Sequence, residues 1–215
     1  MTTKIYDGTL SNDARILVSG SSGCGKTSLL HKLLGNQNGL FTHNFDNIVY
    51  CYGVKTKAIE QLEQYFKDKI NLCEGVPENL LELCTKGKHS ICILDDLDEE
   101  SFTSQQVAFA YTRWSHNYGF AIACSTQNLF ASGSKRLTLI RNCTTIILFK
   151  NYLDYTVPRM IAQKILPSNQ QTFLKIFHEV TSMPYGYLAI FGTGPSKLQF
   201  RTNITAPAQK IFVIE

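Results

Sequence analysis

Eight consecutive residues, Gly20-Ser21-Ser22-Gly23-Cys24-Gly25-Lys26-Thr27, fit the pattern GxxxxGK[ST]. They stand between an apolar run, Ala14–Ser19, and a stretch with helical spacing, Lys26–Leu34, closed by Gly35. Few features restrict a fold so tightly. The glycines let the backbone turn sharply and aim successive N–H groups at an anion. The helix that follows adds its positive N-terminal end. In this pattern Lys26 reaches the β- and γ-phosphates of a nucleotide, and the Thr27 hydroxyl, next to Ser28, is a ligand for Mg²⁺. A plain Gly/Ser turn joining a strand to a helix would have no need of a lysine and a hydroxyl at these two positions.

The rest of the chain suits the α/β architecture that such a loop requires. Apolar runs at Asn47–Cys51, His89–Leu94, Phe120–Ser125 and Thr144–Phe149 read as further strands. Helical patterns lie at Lys57–Asp68, Glu78–Cys84, Phe102–His116, Val157–Ile165 and Asn169–Thr181. Strands alternating with helices predict a mostly parallel central sheet flanked by helices. Residues 1–13 read as a loose lead-in, and 186–215 as a short β-rich extension with runs at Tyr187–Phe191 and Lys210–Ile214. No linker divides the chain, so a single domain over 1–215 is expected.

Two polar clusters follow apolar strands. Ile91-Cys92-Ile93-Leu94 delivers Asp95 and Asp96, and in open α/β sheets ligands bind at the C-terminal strand ends. Asp95 is the candidate Mg²⁺ ligand, direct or through water, and Asp96 a candidate to polarise an attacking water. An acidic loop running on through Asp98, Glu99 and Glu100 is the competing reading. Ser125-Thr126-Gln127-Asn128 follows the next strand, and Gln127 could hydrogen-bond a γ-phosphate or the water beside it. An ordinary strand-exit turn would use the same residue types. Taken together, these residues describe a P-loop nucleoside triphosphatase that takes ATP and Mg²⁺.

Composition narrows the remaining classes. Hydrophobic residues make up 44% and charged residues 18%, as in a globular rather than a disordered chain. Seven cysteines without a CxxC pair argue for reduced core thiols rather than a zinc site or a disulfide framework. No apolar run approaches the ~18 residues of a membrane span, and the first residues lack the apolar stretch of a signal peptide. A soluble, intracellular protein with no membrane partner is expected.

Several segments resemble a known family. GSSGCGKTS (Gly20–Ser28), EGVPENL (Glu74–Leu80) and ICILDDLDEE (Ile91–Glu100) are followed by TRWSHNYGFAIACSTQNLF (Thr112–Phe130), LIRNCTTIILFKNYLD (Leu139–Asp154) and LQFRTNI (Leu198–Ile204). In order and spacing they resemble the FtsK–HerA superfamily with its RecA/FtsK-like core. Within it they resemble the viral genome-packaging ATPases of the poxvirus type and their relatives in Maverick/Polinton elements and virophages. The resemblance implies a homo-oligomeric ring that hydrolyses ATP and drives double-stranded DNA into a capsid at its portal vertex. The setting it implies is the nucleus, a cytoplasmic virus factory or the virion. Lys26 and Thr27 take the Walker A roles, Asp95 and Asp96 the Walker B roles, and Gln127 the sensor role. An arginine from a neighbouring subunit would complete each site, with Arg113, Arg136 and Arg141 as candidates. Arg113 stands where relatives usually carry an Arg-His pair, and here the pair is Arg113-Trp114.

Charge placement is compatible with a DNA partner. Between Lys135 and Lys175 lie Lys135, Arg136, Arg141, Lys150, Arg159, Lys164 and Lys175, against the single carboxylate Asp154. Such a region suits a polyanion, though a solvated face is an equal alternative. No base-reading motif is evident, so contacts would fall on the DNA backbone. A small nucleotide or nucleoside kinase shares the size and the phosphate loop, but no arginine-rich lid is apparent. A non-hydrolysing P-loop scaffold would not need Lys26, Thr27, Asp95 and Gln127 together.

Overall fold

The computed structural model describes residues 9–35, 39–130, 132–192, 199–205 and 210–213. Residues 1–8 of the expected lead-in, Leu198 of the last matching segment and Ile214 of the expected last β run lie outside the described residues. So do 193–197, 206–209 and 215 of the expected extension.

In chain order the elements are β1 (Arg15–Ser19), α1 (Lys26–Gly35), β2 (Asn47–Tyr52) and α2 (Lys57–Phe66). A 3-10 turn (Lys67–Lys69) leads to β3 (Ile70–Glu74), α3 (Leu80–Cys84), β4 (Ser90–Asp95), α4 (Asp98–Thr103) and α5 (Gln105–Phe109). A π turn (Ala110–Trp114) joins α5 to α6 (Ser115–Tyr118), and β5 (Ala121–Thr126), α7 (Arg136–Asn142) and β6 (Thr145–Phe149) follow. The chain continues through α8 (Thr156–Ile165), α9 (Gln170–Val180), β7 (Tyr187–Phe191), β8 (Gln199–Thr202) and β9 (Lys210–Val213).

The strands form one nine-stranded sheet in the order β3-β2-β4-β5-β1-β6-β7-β8-β9. Every pair from β3 to β6 is parallel, and the pairs β6–β7, β7–β8 and β8–β9 are antiparallel. The expected β extension thus continues the main sheet. The central strands are buried on both faces, which explains their near-continuous apolar sequence. On one face Ile16, Val18, Ile48 and Ile93 pack with Leu30 and Leu33 of α1 and Ile59 of α2. On the other, Leu17, Cys92, Leu94, Ile122 and Cys124 pack with Phe102, Tyr111, Leu139, Phe173 and Phe177 of the later helices.

β5 lies between β1 and β4. The chain following β5 therefore emerges between the turn after β1 and the carboxylates after β4, all at one edge of the sheet. The strand order brings the three motifs together.

Three expectations need correction. The single helix over Phe102–His116 is broken. Ser104 is extended (φ −63°, ψ 128°) and its side chain accepts a hydrogen bond from Val107 N–H, ending α4 and capping α5. The π turn then brings Tyr111 to β1, where its hydroxyl donates to the Ile16 carbonyl at 2.6 Å. The helix expected over Lys57–Asp68 stops at Phe66, because Lys67 is left-handed (φ 49°). β3 and α7 were not anticipated. β3 is an edge strand that is only half-buried, and α7 points a charged residue, Arg136, into the protein. Among the described residues no helix is long and apolar enough to cross a membrane.

Candidate functional site

The turn after β1 is shaped by its glycines. Gly23 (φ 73°) and Gly25 (φ 107°) are left-handed, where a side chain would be strained. Gly20 is needed for a different reason: a Cβ there would lie 2.6 Å from both Cys24 Sγ and Phe149 Cβ. The turn is thus clamped against the end of β6. Lys26 Nζ donates to the carbonyls of Gly20 (2.8 Å) and Ser21 (3.0 Å), which holds the ammonium inside the loop. Leu29 N–H donates to the Gly25 carbonyl (2.9 Å) and starts the α1 ladder. The first turn of α1 carries no acidic residue, so its positive end is not countered from within the helix. Burial raises the Cys24 thiol above its usual range, with Lys26 opposing, so Cys24 stays a neutral filler.

Asp95, at the end of β4, is 5% exposed. Its carboxylate accepts from the Tyr50 hydroxyl and from Ser125 Oγ, each at 2.9 Å. The Ser125 hydroxyl in turn accepts from Asp96 N–H at 3.1 Å. The Tyr50 hydroxyl donates its hydrogen bond to Asp95, so its oxygen accepts from His31 Nε2–H at 2.9 Å, which sets the tautomer of that ring. Burial, and secondarily the Asp95 charge, keep the Tyr50 phenol well above its usual pKa. Burial lowers the pKa of His31, and Asp95 opposes that shift only partly. A line of hydrogen bonds therefore runs from α1 through β2 to Asp95 and on to β5. Among the described residues no lysine or arginine pairs with Asp95.

The turn after β5 is held differently. Thr126 Oγ1 donates to Asp98 Oδ1 (2.7 Å), and Gln127 N–H donates to Asp98 Oδ2 (3.0 Å). Arg136 donates to Asp98 Oδ1 (3.2 Å), Thr126 Oγ1 (3.1 Å) and the Asn128 carbonyl (2.6 Å). Its guanidinium lies 3.7 Å over the Phe102 ring. The backbone of this turn is locked, while the Gln127 side chain stays exposed.

These parts enclose one cleft of about 410 Å³. On its walls are Ser22, Gly23, Gly25, Lys26, Thr27 and Ser28 from the loop and helix. Asp95, Asp96, Ser125 and Gln127 face them, and the turn after β2, Tyr52 to Val54, closes one side. Gly20, Ser21 and Cys24, the remaining residues of the loop, do not line this cleft. Asp96 is left-handed (φ 56°), a conformation held by Ser125 and by Gly53, where a Cβ would come within 2.7 Å of the Asp96 carbonyl.

The arginine candidates separate. Arg136 is 4% exposed and bound to Asp98, so it cannot reach out to a neighbouring copy; the sequence-based expectation for it is corrected. Arg113, stacked 3.7 Å over Phe109, and Arg141 are exposed, and neither lines the cleft.

A divalent cation fits the donors present. Among the described residues no group of three or more His, Cys, Asp or Glu is placed to hold a metal. Mg²⁺ is commonly held by one or two carboxylates with water and phosphate oxygens, and Asp95 and the Thr27 hydroxyl line the same cleft. A buried carboxylate with two neutral donors lacks compensating positive charge, a deficit that a cation relieves.

Sequence reasoning missed Tyr50, His31 and Asp98, and also Tyr185, which lines the same cleft. Tyr50 is a buried hydroxyl set among Ile48, Val49 and Cys51, and a buried tyrosine needs a polar partner. His31 stands one helical turn beyond Thr27, a spacing that places both on one face of α1.

No family model matches this chain, and no curated protein matches it. Among solved structures the fold is similar to the genome packaging NTPase B204 of Sulfolobus turreted icosahedral virus 2. With its sulfate complex the TM-score is 0.60 at 13% identity, covering 89% of this chain and 96% of that one. With its ATP-γS complex the TM-score is 0.62 at 13% identity, covering 88% and 97%. At that identity the likeness is one of fold: an α/β P-loop NTPase with a mostly parallel sheet flanked by helices.

Proposed function

We propose that this chain is a Mg²⁺-dependent ATPase that acts as a viral genome-packaging motor, a ring of copies driving double-stranded DNA into a capsid. The observation that carries the ATPase reading is the convergence on one cleft of a phosphate-cradling turn, a buried carboxylate without a cation, and a glutamine on a pinned backbone. The motor reading is supported by the family resemblance of the motifs and by the fold of a packaging NTPase whose chain is matched over 96% of its length.

In this reading the loop amides and Lys26 bind the β- and γ-phosphates, and Gly23 and Gly25 keep the backbone close enough to do so. Thr27 and Asp95 would hold Mg²⁺, which when bound neutralises charge on the phosphate oxygens. Asp96 and Gln127 orient the water. As its oxygen bonds to the γ-phosphorus, the bond to the ADP oxygen breaks, and the water proton leaves with the phosphate product. Arg113 or Arg141, both exposed, would enter the site of an adjacent copy and stabilise the charge on the transferring group. Without Arg136, the exposed cations Arg141, Arg159, Lys164 and Lys175 remain to meet a DNA backbone.

The decisive measurement is ATPase rate against protein concentration, with and without duplex DNA, for the wild type and Lys26→Ala. The motor reading requires a rate per subunit that rises with concentration and with DNA, and that Lys26→Ala abolishes. Equal turnover by the monomer without DNA would overturn it. Transfer of the γ-phosphoryl to a nucleoside instead of water would replace it with a kinase.

A further inference from the structure

Beside the phosphate loop lies a second cleft, of about 210 Å³. It is bounded by Cys24 of the loop, by Phe149, Lys150 and Tyr152 at the end of β6, and by the turn between α9 and β7. Gly23 and Tyr185 line both this cleft and the phosphate cleft, so the two adjoin.

Tyr185 is an unusual residue for this position. It is 72% exposed and left-handed (φ 60°), uncommon for a bulky side chain. Its ring stands against the loop: a Cβ on Gly25 would lie 3.2 Å from Tyr185 Cδ1. Neither burial nor, among the described residues, a hydrogen bond accounts for the ring being there. The turn that presents it is built rigidly. Thr181 Oγ1 donates to the Phe177 carbonyl (2.7 Å), Ser182 Oγ to the Glu179 carbonyl (2.7 Å), and Gly186 N–H to the Met183 carbonyl (3.0 Å). At Gly186 any Cβ would strike the Val180 carbonyl at 2.2 Å, so the chain can pass only as glycine. Met183 (70% exposed) and Tyr152 (77%) border the same hollow, with Lys150 Nζ 4.6 Å over the Tyr152 ring. Large exposed side chains gathered round one cleft, with a strained aromatic at its mouth, mark a surface that meets an apolar or π-faced ligand.

The geometry points to this cleft as the seat of the nucleobase, with Tyr185 as its stacking platform. The inference rests on the nucleoside triphosphate reading above. Its specific content is that a ligand whose phosphates lie in the loop places its base over Tyr185, toward β6 and β7 and away from Asp95. A base is recognised here by its face, through stacking. Fixing the Tyr185 backbone before the ligand arrives lowers the ordering cost of binding.

The test compares ATP with inorganic tripolyphosphate, which has the phosphates but no base, each with Mg²⁺ and titrated calorimetrically. The variant is Tyr185→Asn, since asparagine removes the ring yet tolerates the left-handed backbone. Tyr185→Phe is the conservative control. The expected result is that Tyr185→Asn weakens ATP about tenfold or more, leaves tripolyphosphate unchanged, and that Tyr185→Phe restores ATP. Equal weakening of both ligands would mean that Tyr185 acts through the phosphate loop, and would overturn the proposal. So would no change in either, including the case where Tyr185→Asn alters only self-association. If wild-type protein bound neither ligand, the triphosphate reading itself would fail.

Discussion

Asp95 and Asp98 stand three residues apart at the same end of the sheet, yet they are held in opposite ways. Asp95 is almost fully buried and, among the described residues, accepts from two neutral hydroxyls, those of Tyr50 and Ser125. Asp98, about one-third exposed, is tied to the buried guanidinium of Arg136 and to the backbone of the turn after β5. The second arrangement is complete in itself: the charges compensate one another and the turn is fixed. The first is incomplete, because among the described residues Asp95 has partners that orient it but no cation paired with it. A carboxylate that is oriented and uncompensated suits a metal, whereas one with a permanent arginine suits architecture. The distinction is one of partners, and neither residue type nor position in the acidic run reveals it.

The contrast breaks most visibly at Asp95. With Asp95→Asn, ATP turnover is expected to fall by about 10²–10³-fold, the usual loss when a group that stabilises transition-state charge is removed. The thermal midpoint should stay close to wild type, since the change deletes a buried charge while keeping the side chain's shape. Steady-state kinetics and a thermal scan on one preparation check both halves. Lost turnover together with a collapsed midpoint would make Asp95 structural and erase the difference.

Asp98 should respond in the converse manner. Asp98→Asn leaves the Arg136 guanidinium without its counter-charge, at a cost of about 2 kcal/mol after allowance for partial exposure, or roughly 4–8 °C in Tm. The double variant Asp98→Asn with Arg136→Met removes the stranded charge as well, and should recover at least part of that loss. Denaturant titration of the wild type, single and double variants reads the coupling. If the double variant were less stable than the sum of its parts, the pair would not be the self-contained unit described here.

Much of the fold could be read from local pattern. The runs at Ala14–Ser19, His89–Leu94 and Phe120–Ser125 are apolar because their strands are covered on both faces, and the Gly20–Thr27 turn carries its own chemistry in contiguous residues. The cleft's further partners depend on strand order. Tyr50 reaches Asp95 only because β2 lies beside β4, and Ser125 because β5 is inserted between β4 and β1. Arg136 was misread for the same reason: its charge is visible in the sequence, but the carboxylate that binds it is 38 residues away. β3 escaped notice because an edge strand needs no sustained apolar run, and Asn71 and Glu74 dilute the one it has. α7 was missed because its inward face consists of Leu139 and an arginine.

The smallest expected effect lies at the far end of the Asp95 hydrogen bonds. His31 is half-buried behind Tyr50, and burial lowers its pKa below the ordinary value of 6.5, with Asp95 opposing only in part. For a base whose folded pKa is lowered, the unfolded chain takes up the proton first. The contribution to stability is therefore intact above about pH 6.5, declines as the pH falls below that value, and is fully lost once the pH has passed through the lower folded pKa. His31→Gln keeps a neutral donor for Tyr50 and removes the titration. Urea unfolding of the wild type between pH 7.5 and 5, a window set by the ordinary histidine pKa of about 6.5, should show stability dropping toward acid, and the variant a shallower drop. The difference between the two curves isolates this residue from the other histidines. Were the curves parallel, or were the variant the steeper of the two, His31 would not be a neutral donor held by burial. The orientation of Tyr50, and of Asp95 through it, would then need another source.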